Sequence, residues 1–277
     1  MEFKVIGSLL VQENGESAIP SAPKPRQIVA LLLLNANRVV SVQSLTRELW
    51  SDNPPQSVAT TLQTYILQIR KTLASALGTS SSRVARDVLI TKPGGYQWHV
   101  PPGALDLHRY ESLLAEGRTT LAAGDNEGAA TLLREALDLW RDAPLVDIKP
   151  GRLLEVQIMR LQESRLSALE QRIEADVRMG RHHEILPELI ELTAEHHLHE
   201  NLHAQLMLAL YRAGRRSSAL ASYRRLRTAL AEELGLEPSI KLERLHQAIL
   251  CCDRTLDVTT HGGALTMLDR LIADRCA

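Results

Sequence analysis

Residues 54–100 constrain this chain most, because one face of their predicted helix must be buried while the opposite face carries no acid. They read PPQSVATTLQTYILQIRKTLASALG, then a polar gap, then VLITKPGGYQWHV. The first part has the periodicity of one amphipathic helix, opened by Pro54-Pro55 and closed near Gly78. At about 100° per residue, Leu62, Ile66, Ile69 and Leu73 fall in one narrow stripe, with Val58 and Tyr65 beside it. That stripe requires a core. Centred opposite are Thr60, Thr64 and Lys71, flanked by Ser57, Gln63, Leu67, Gln68 and Ser75. A solvated helix face ordinarily mixes Glu with Lys. Here no acidic residue stands between Asp52 and Asp87. Leu67 sits on the outer side without an apolar neighbour.

The second part predicts a β-hairpin. Val88, Ile90, Tyr96, Trp98 and Val100 alternate with Thr91, Lys92, Gln97 and His99, as a half-buried strand pair does. Pro93-Gly94-Gly95 forms the tip, where glycine permits the positive φ of a tight turn. A polar-faced helix followed by a basic-edged hairpin is the layout of a DNA-reading winged helix. Gln pairs with adenine in the major groove, Thr touches a thymine methyl, and Lys or Arg holds phosphate or guanine. The plainer readings are a solvated helix face and an edge-strand lysine at Lys92 that discourages strand pairing.

Charge is distributed unevenly along the 277 residues. Residues 1–100 hold ten Lys or Arg against six Asp or Glu, a balance of +4, and the remainder holds 22 against 27, a balance of −5. A mildly basic N-terminal part and an acidic C-terminal part suit DNA contact by the first and protein contact by the second.

Residues 3–11 (FKVIGSLLV) and the segment around Ile19 read as short strands. A helix follows from Lys24-Pro25-Arg26 through Ile28, Leu31, Leu32 and Leu34. Val39-Val40 is a short extended piece, and Ser41 is a candidate N-cap for a helix ending near Trp50. With the long helix and hairpin, this is the element order of a response-regulator output domain. HVPPGALD at 99–106 reads as a linker. Beyond Leu105 the pattern is helical, and Gly180 and Gly214 mark helix turns 34 residues apart, the tetratricopeptide period. Gly124 marks an earlier turn, and an insertion around 140–151 breaks the register. Ala129 and Ala219 lie five residues after their glycines, and the third site has Ile185, so the match is partial and about three helical-repeat units are expected.

PRQIVALLLLNANRVVS, TTLQTYILQIRKTL and ITKPGGYQW resemble the DNA-binding domain of the Streptomyces antibiotic regulatory protein family. LDLHRYESLLAEGR, LDLWRDAPL, RLSALEQRIEADVRMGRHHEILPEL, QLMLALYRAGRRSSALASYRRLRTALAEELGLEPS and LERLHQAIL resemble its bacterial transcriptional activation domain. The resemblance covers residues 3–253. It implies a mainly α protein with a small β component. The expected divisions are a winged-helix DNA-binding domain over 1–100, an all-α tetratricopeptide-like activator domain over 105–253, and a tail over 254–277. The length is similar to that of small members holding only these two domains.

The implied function is pathway-specific activation of an antibiotic or other secondary-metabolite gene cluster. The implied partners are double-stranded promoter DNA with direct repeats near the −35 region, RNA polymerase through its sigma and alpha subunits, and a second protomer on the DNA. Carried over by position, the recognition helix supplies Thr60, Thr61, Gln63, Thr64, Gln68, Arg70 and Lys71, and the wing supplies Thr91 and Lys92. Several relatives carry more Arg on this face, where Thr60, Leu67 and Gln68 stand here.

Other constellations are weaker. His182, His183, His196, His197, His199 and His203 lack an HExxH or a completing carboxylate or cysteine, so no metal is expected. GTSSS at 78–82 lacks the phosphate-loop spacing, and no GxSxG or Cys–His arrangement suggests hydrolysis. Neither an enzyme nor a cofactor is expected. Cys251, Cys252 and Cys276 form neither a disulfide framework nor a zinc pattern and fit a reducing cytoplasm. The ALLLL run at 30–34 is too short to span a membrane, and the N-terminus lacks a signal-peptide pattern, so a cytoplasmic, nucleoid-associated protein is expected. The remaining alternative is a helical-repeat adaptor whose N-terminal domain contacts protein. Such an adaptor has no reason to keep the outer face from Ser57 to Ser75 free of acid.

Overall fold

The run IVALLL leaves no polar face, so the helix that carries it has to be enclosed on all sides. In the computed structural model, which describes residues 1–257, it forms α1 (Pro23–Leu34), with every residue from Ile28 to Leu33 buried. Before it lie β1 (Glu2–Lys4), β2 (Leu10–Glu13) and β3 (Glu16–Ser17), an antiparallel sheet in which Phe3 faces Val11. The expected strand over 3–11 is therefore two strands, broken at Gly7 with φ 126°, and the strand expected around Ile19 falls instead on Glu16–Ser17.

After α1 come β4 (Val39–Ser41), α2 (Val42–Trp50), α3 (Val58–Ala76), α4 (Ser81–Asp87), β5 (Leu89–Lys92) and β6 (Gly95–Trp98). Ser41 caps α2, its Oγ accepting from the Ser44 N–H at 3.0 Å. The second sheet has the order β4-β6-β5, so Val39-Val40 joins the hairpin as a third strand. Gly95 faces Ser41 there, and a Cβ on it would lie 2.2 Å from the Val40 carbonyl oxygen. Its role is close approach. The positive φ of the turn belongs to Gly94 alone, at 77°.

Two expectations about this region need correction. The polar gap contains α4, capped by Ser80, whose Oγ accepts from the Arg83 N–H at 3.3 Å. The buried residue of β5 is Leu89, while Val88 and Ile90 are only half-buried, because Val88 serves as the C-cap of α4.

The remaining helices are α5 (Asp106–Ala122), α6 (Asn126–Asp138), α7 (Arg152–Arg178), α8 (His182–Glu195), α9 (Glu200–Arg212), α10 (Arg216–Ala229) and α11 (Ile240–Cys251). A π-helical turn at Leu230–Leu234 follows α10. By contacts the chain divides into one unit of residues 1–113 and 135–166 and a second of 114–134 and 167 onward, a division that falls inside α5, α6 and α7.

Within the first unit, three carboxylates bind backbone amides. Asp106 accepts from Val5 at 2.9 Å and Ile6 at 3.0 Å, and Asp147 accepts from Leu9 at 2.7 Å. Glu48 of α2 is 2% exposed and accepts from Gly151 (2.6 Å), Leu153 (2.9 Å) and Leu154 (3.1 Å) at the start of α7. A carboxylate there satisfies N–H groups that have no intrahelical partner.

In the second unit, the turns at Gly124, Gly180 and Gly214 share one pattern. Each glycine has positive φ and bonds the carbonyl three residues back, and the next N–H bonds the carbonyl five back from itself. Ala129, Ile185 and Ala219, at the common offset, are all buried. Ile173, Val177, Leu189, Met207, Leu210, Leu226, Leu245 and Ile249 belong to one core. Beneath it, Asp176 is met by Arg172 at 3.2 Å, Arg134 at 3.5 Å and Arg181 at 3.5 Å. The expected tail begins with a 3₁₀ turn at Arg254–Asp257, and its remainder, with Cys276, lies outside the described residues.

Candidate nucleic-acid interface

α3 starts three residues after Pro54-Pro55, with the Val58 N–H bonding the Pro55 carbonyl at 3.0 Å. Its first turn holds no acid. Leu62, Ile66, Ile69 and Leu73 are at most 2% exposed, so the apolar stripe meets the core. Tyr65 stacks on Trp50 of α2 with ring centres 6.4 Å apart, and the Lys24 ammonium lies 4.4 Å from the Trp50 ring centre. These contacts set how α3 lies on α2.

The opposite face is open. Thr60, Gln63, Thr64, Gln68 and Lys71 are exposed, and Leu67 among them is 49% exposed. The Thr64 hydroxyl donates to the Thr60 carbonyl at 2.9 Å. Its proton is spent within the helix, leaving an acceptor oxygen and a methyl group outward. Thr61 is half-buried, and its hydroxyl donates to the Ser57 carbonyl at 3.0 Å.

Arg70 departs from the sequence expectation. It is half-buried, and its guanidinium donates to the Leu89 carbonyl from Nε (3.1 Å) and Nη2 (2.7 Å). Nη2 also reaches the Thr91 hydroxyl at 2.8 Å, and the group lies 6.0 Å from the Tyr96 ring centre. Burial lowers its pKa from the ordinary arginine range. Arg70 therefore ties α3 to the wing, and Thr91 receives that tie. Lys92, beside the turn and paired in register with Gly95, is exposed.

Arg83 and Arg86, which α4 exposes beside Asp87 at 3.6 Å and 3.4 Å, belong to no motif that the sequence marks. The only apolar signal for that helix is Val84, fully buried, and a single residue carries no periodicity.

Two of the histidines, His199 and His203, serve local structure. His199 Nδ1 accepts from the Leu202 N–H at 3.4 Å, capping α9, and its Nε2 meets Glu170 at 3.0 Å. His203 is buried, its Nδ1 lies 3.2 Å from the Ser222 hydroxyl, and burial pushes its pKa down to about 4. Among the described residues no group of three His, Cys, Asp or Glu side chains is arranged to hold a metal, and no helix is long and apolar enough to cross a membrane.

Residues 15–98 match the family described as "Transcriptional regulatory protein, C terminal", and residues 105–250 match "Bacterial transcriptional activator domain". The regulatory protein DnrI of Streptomyces peucetius is 48% identical over 257 residues, which span 93% of this chain and 94% of DnrI. AfsR of Streptomyces coelicolor is 38% identical over 257 residues, 92% of this chain but 25% of AfsR. The solved structure of Mycobacterium tuberculosis EmbR in complex with a low affinity phosphopeptide is similar at a TM-score of 0.84 and 31% identity, covering 99% of this chain and 70% of that one. The chain therefore belongs to the Streptomyces antibiotic regulatory protein family of transcriptional regulators, with a winged-helix domain followed by a bacterial transcriptional activator domain.

Proposed function

We propose that this protein activates a secondary-metabolite gene cluster by binding direct repeats near the −35 region of its promoters and recruiting RNA polymerase. The observation that carries this reading is the open, acid-free face of α3, fixed to the wing through Arg70. Helix and hairpin then form one reader. Thr60, Gln63, Thr64 and Gln68 address base edges in the major groove, and Lys71 and Lys92 hold phosphates. Arg70, Thr91 and Thr61 hold the reader in shape. Repeats one helical turn apart place two protomers on one face of the duplex. The helical repeats supply the surface for sigma and alpha subunits, in the cytoplasm at the nucleoid. DnrI, a regulatory protein similar along almost its whole length, supports the reading.

A gel shift and a promoter reporter test it together. The full chain should retard duplex from its own cluster's promoters and raise reporter output when co-expressed. Retardation without activation would move the protein to the repressors, and no retardation at low salt would favour the adaptor reading.

A further inference from the structure

We infer that Leu67 is a specificity-determining residue that reads the 5-methyl group of a thymine in the major groove. This rests on the proposal that α3 reads DNA. Leu67 lies in the middle of α3, 49% exposed, while Leu62, Ile66, Ile69 and Leu73 of the same helix are buried. Its helical neighbours are Gln63 and Thr64 before it and Arg70 and Lys71 after it, so no apolar side chain covers it from its own helix. A single exposed leucine is usually without meaning. This one stands halfway along the helix, on the flank of the face that has no acid and is centred on Thr60, Thr64 and Lys71, beside a wing that carries Lys92. The occupant that fits such a surface is a polyanion with an apolar point on its readable edge. In the major groove only thymine offers one, its methyl group beside the O4 acceptor. Gln63 and Gln68, both exposed, flank Leu67 and can fix the register by pairing with adenine.

The test uses the full chain and a duplex that this chain itself selects from a randomised pool. Each thymine of one repeat is replaced singly by deoxyuridine, which removes the methyl and nothing else. Wild-type protein should lose about fourfold in affinity at one position, the worth of one buried methyl group. L67A should bind the thymine duplex more weakly by a similar or larger factor and no longer distinguish thymine from uracil at that position. Its melting temperature should match the wild type, because the side chain supports no core. A wild-type scan that is flat on a tightly bound duplex overturns the inference while leaving DNA reading intact. So does L67A if it keeps the discrimination. If L67A binds both duplexes like the wild type yet fails to activate a reporter, Leu67 faces a protein partner and the inference is wrong. If the wild type selects no duplex, DNA reading fails along with it.

Discussion

Arg70 lies on the flank of α3, where a helical projection alone leaves it free to turn outward or inward. It turns inward because β5 brings the Leu89 carbonyl and the Thr91 hydroxyl within 3.1 Å. The sequence could not show this, since the position of β5 depends on α4, which has almost no pattern of its own. R70A should therefore lower both stability and DNA affinity, the first by about 1–2 kcal/mol for lost charge-assisted hydrogen bonds. Lysine at this position should restore little, because an ammonium cannot serve two acceptors through a planar fork. K71A and K92A should differ in kind. Each should weaken binding by about 1 kcal/mol per protomer and leave the melting temperature unchanged. Calorimetry beside fluorescence anisotropy separates the two behaviours. The outward positions of Thr60, Gln63, Thr64, Gln68 and Lys71 were legible from period alone, because burial of the stripe at Leu62, Ile66, Ile69 and Leu73 fixes the rotation of the helix.

At the level of elements, glycine turns and caps were the readable part. Ser41 as a cap and the turns at Gly124, Gly180 and Gly214 follow from local chemistry. Long-range capping was not readable. Glu48 reads as one more polar residue of α2, yet it ends the first turn of α7 from 103 to 106 residues away. E48Q keeps the shape but turns an amide donor toward N–H groups, so about 2–3 kcal/mol of stability should be lost in urea unfolding. His203 gives the second half a pH response. Its pKa is about 4 in the fold and about 6.5 when unfolded, so the folded state holds it neutral. Its contribution is complete above pH 6.5 and is lost as pH falls toward 4, at up to about 1.4 kcal/mol per unit. H203Q should flatten the pH dependence of the melting temperature in that window. An unchanged slope would assign the response to other groups.

On the scale of the whole chain, the winged-helix order apart from α4 and the repeat array were legible because those elements carry their own period. The way the first strands are held was not. The amides of Val5, Ile6 and Leu9 find their acceptors in Asp106 and Asp147, beyond the hairpin that closes the winged-helix elements. A fragment ending at Val100 contains the α3 stripe and the wing but loses both carboxylates. Amide hydrogen exchange at Val5, Ile6 and Leu9 should be faster in that fragment than in the full chain, and equal protection would show that the carboxylates contribute nothing.

The claim that α3 and the wing bind DNA through phosphate-held cations is tested most directly by affinity as a function of salt. Full-length protein and K71A are titrated onto the selected duplex over a range of potassium chloride concentrations. Wild-type log K should fall with log salt at a slope of several units, and K71A should show a slope shallower by about one unit per bound protomer. A wild-type slope near zero, or a slope that K71A leaves unchanged, would contradict it.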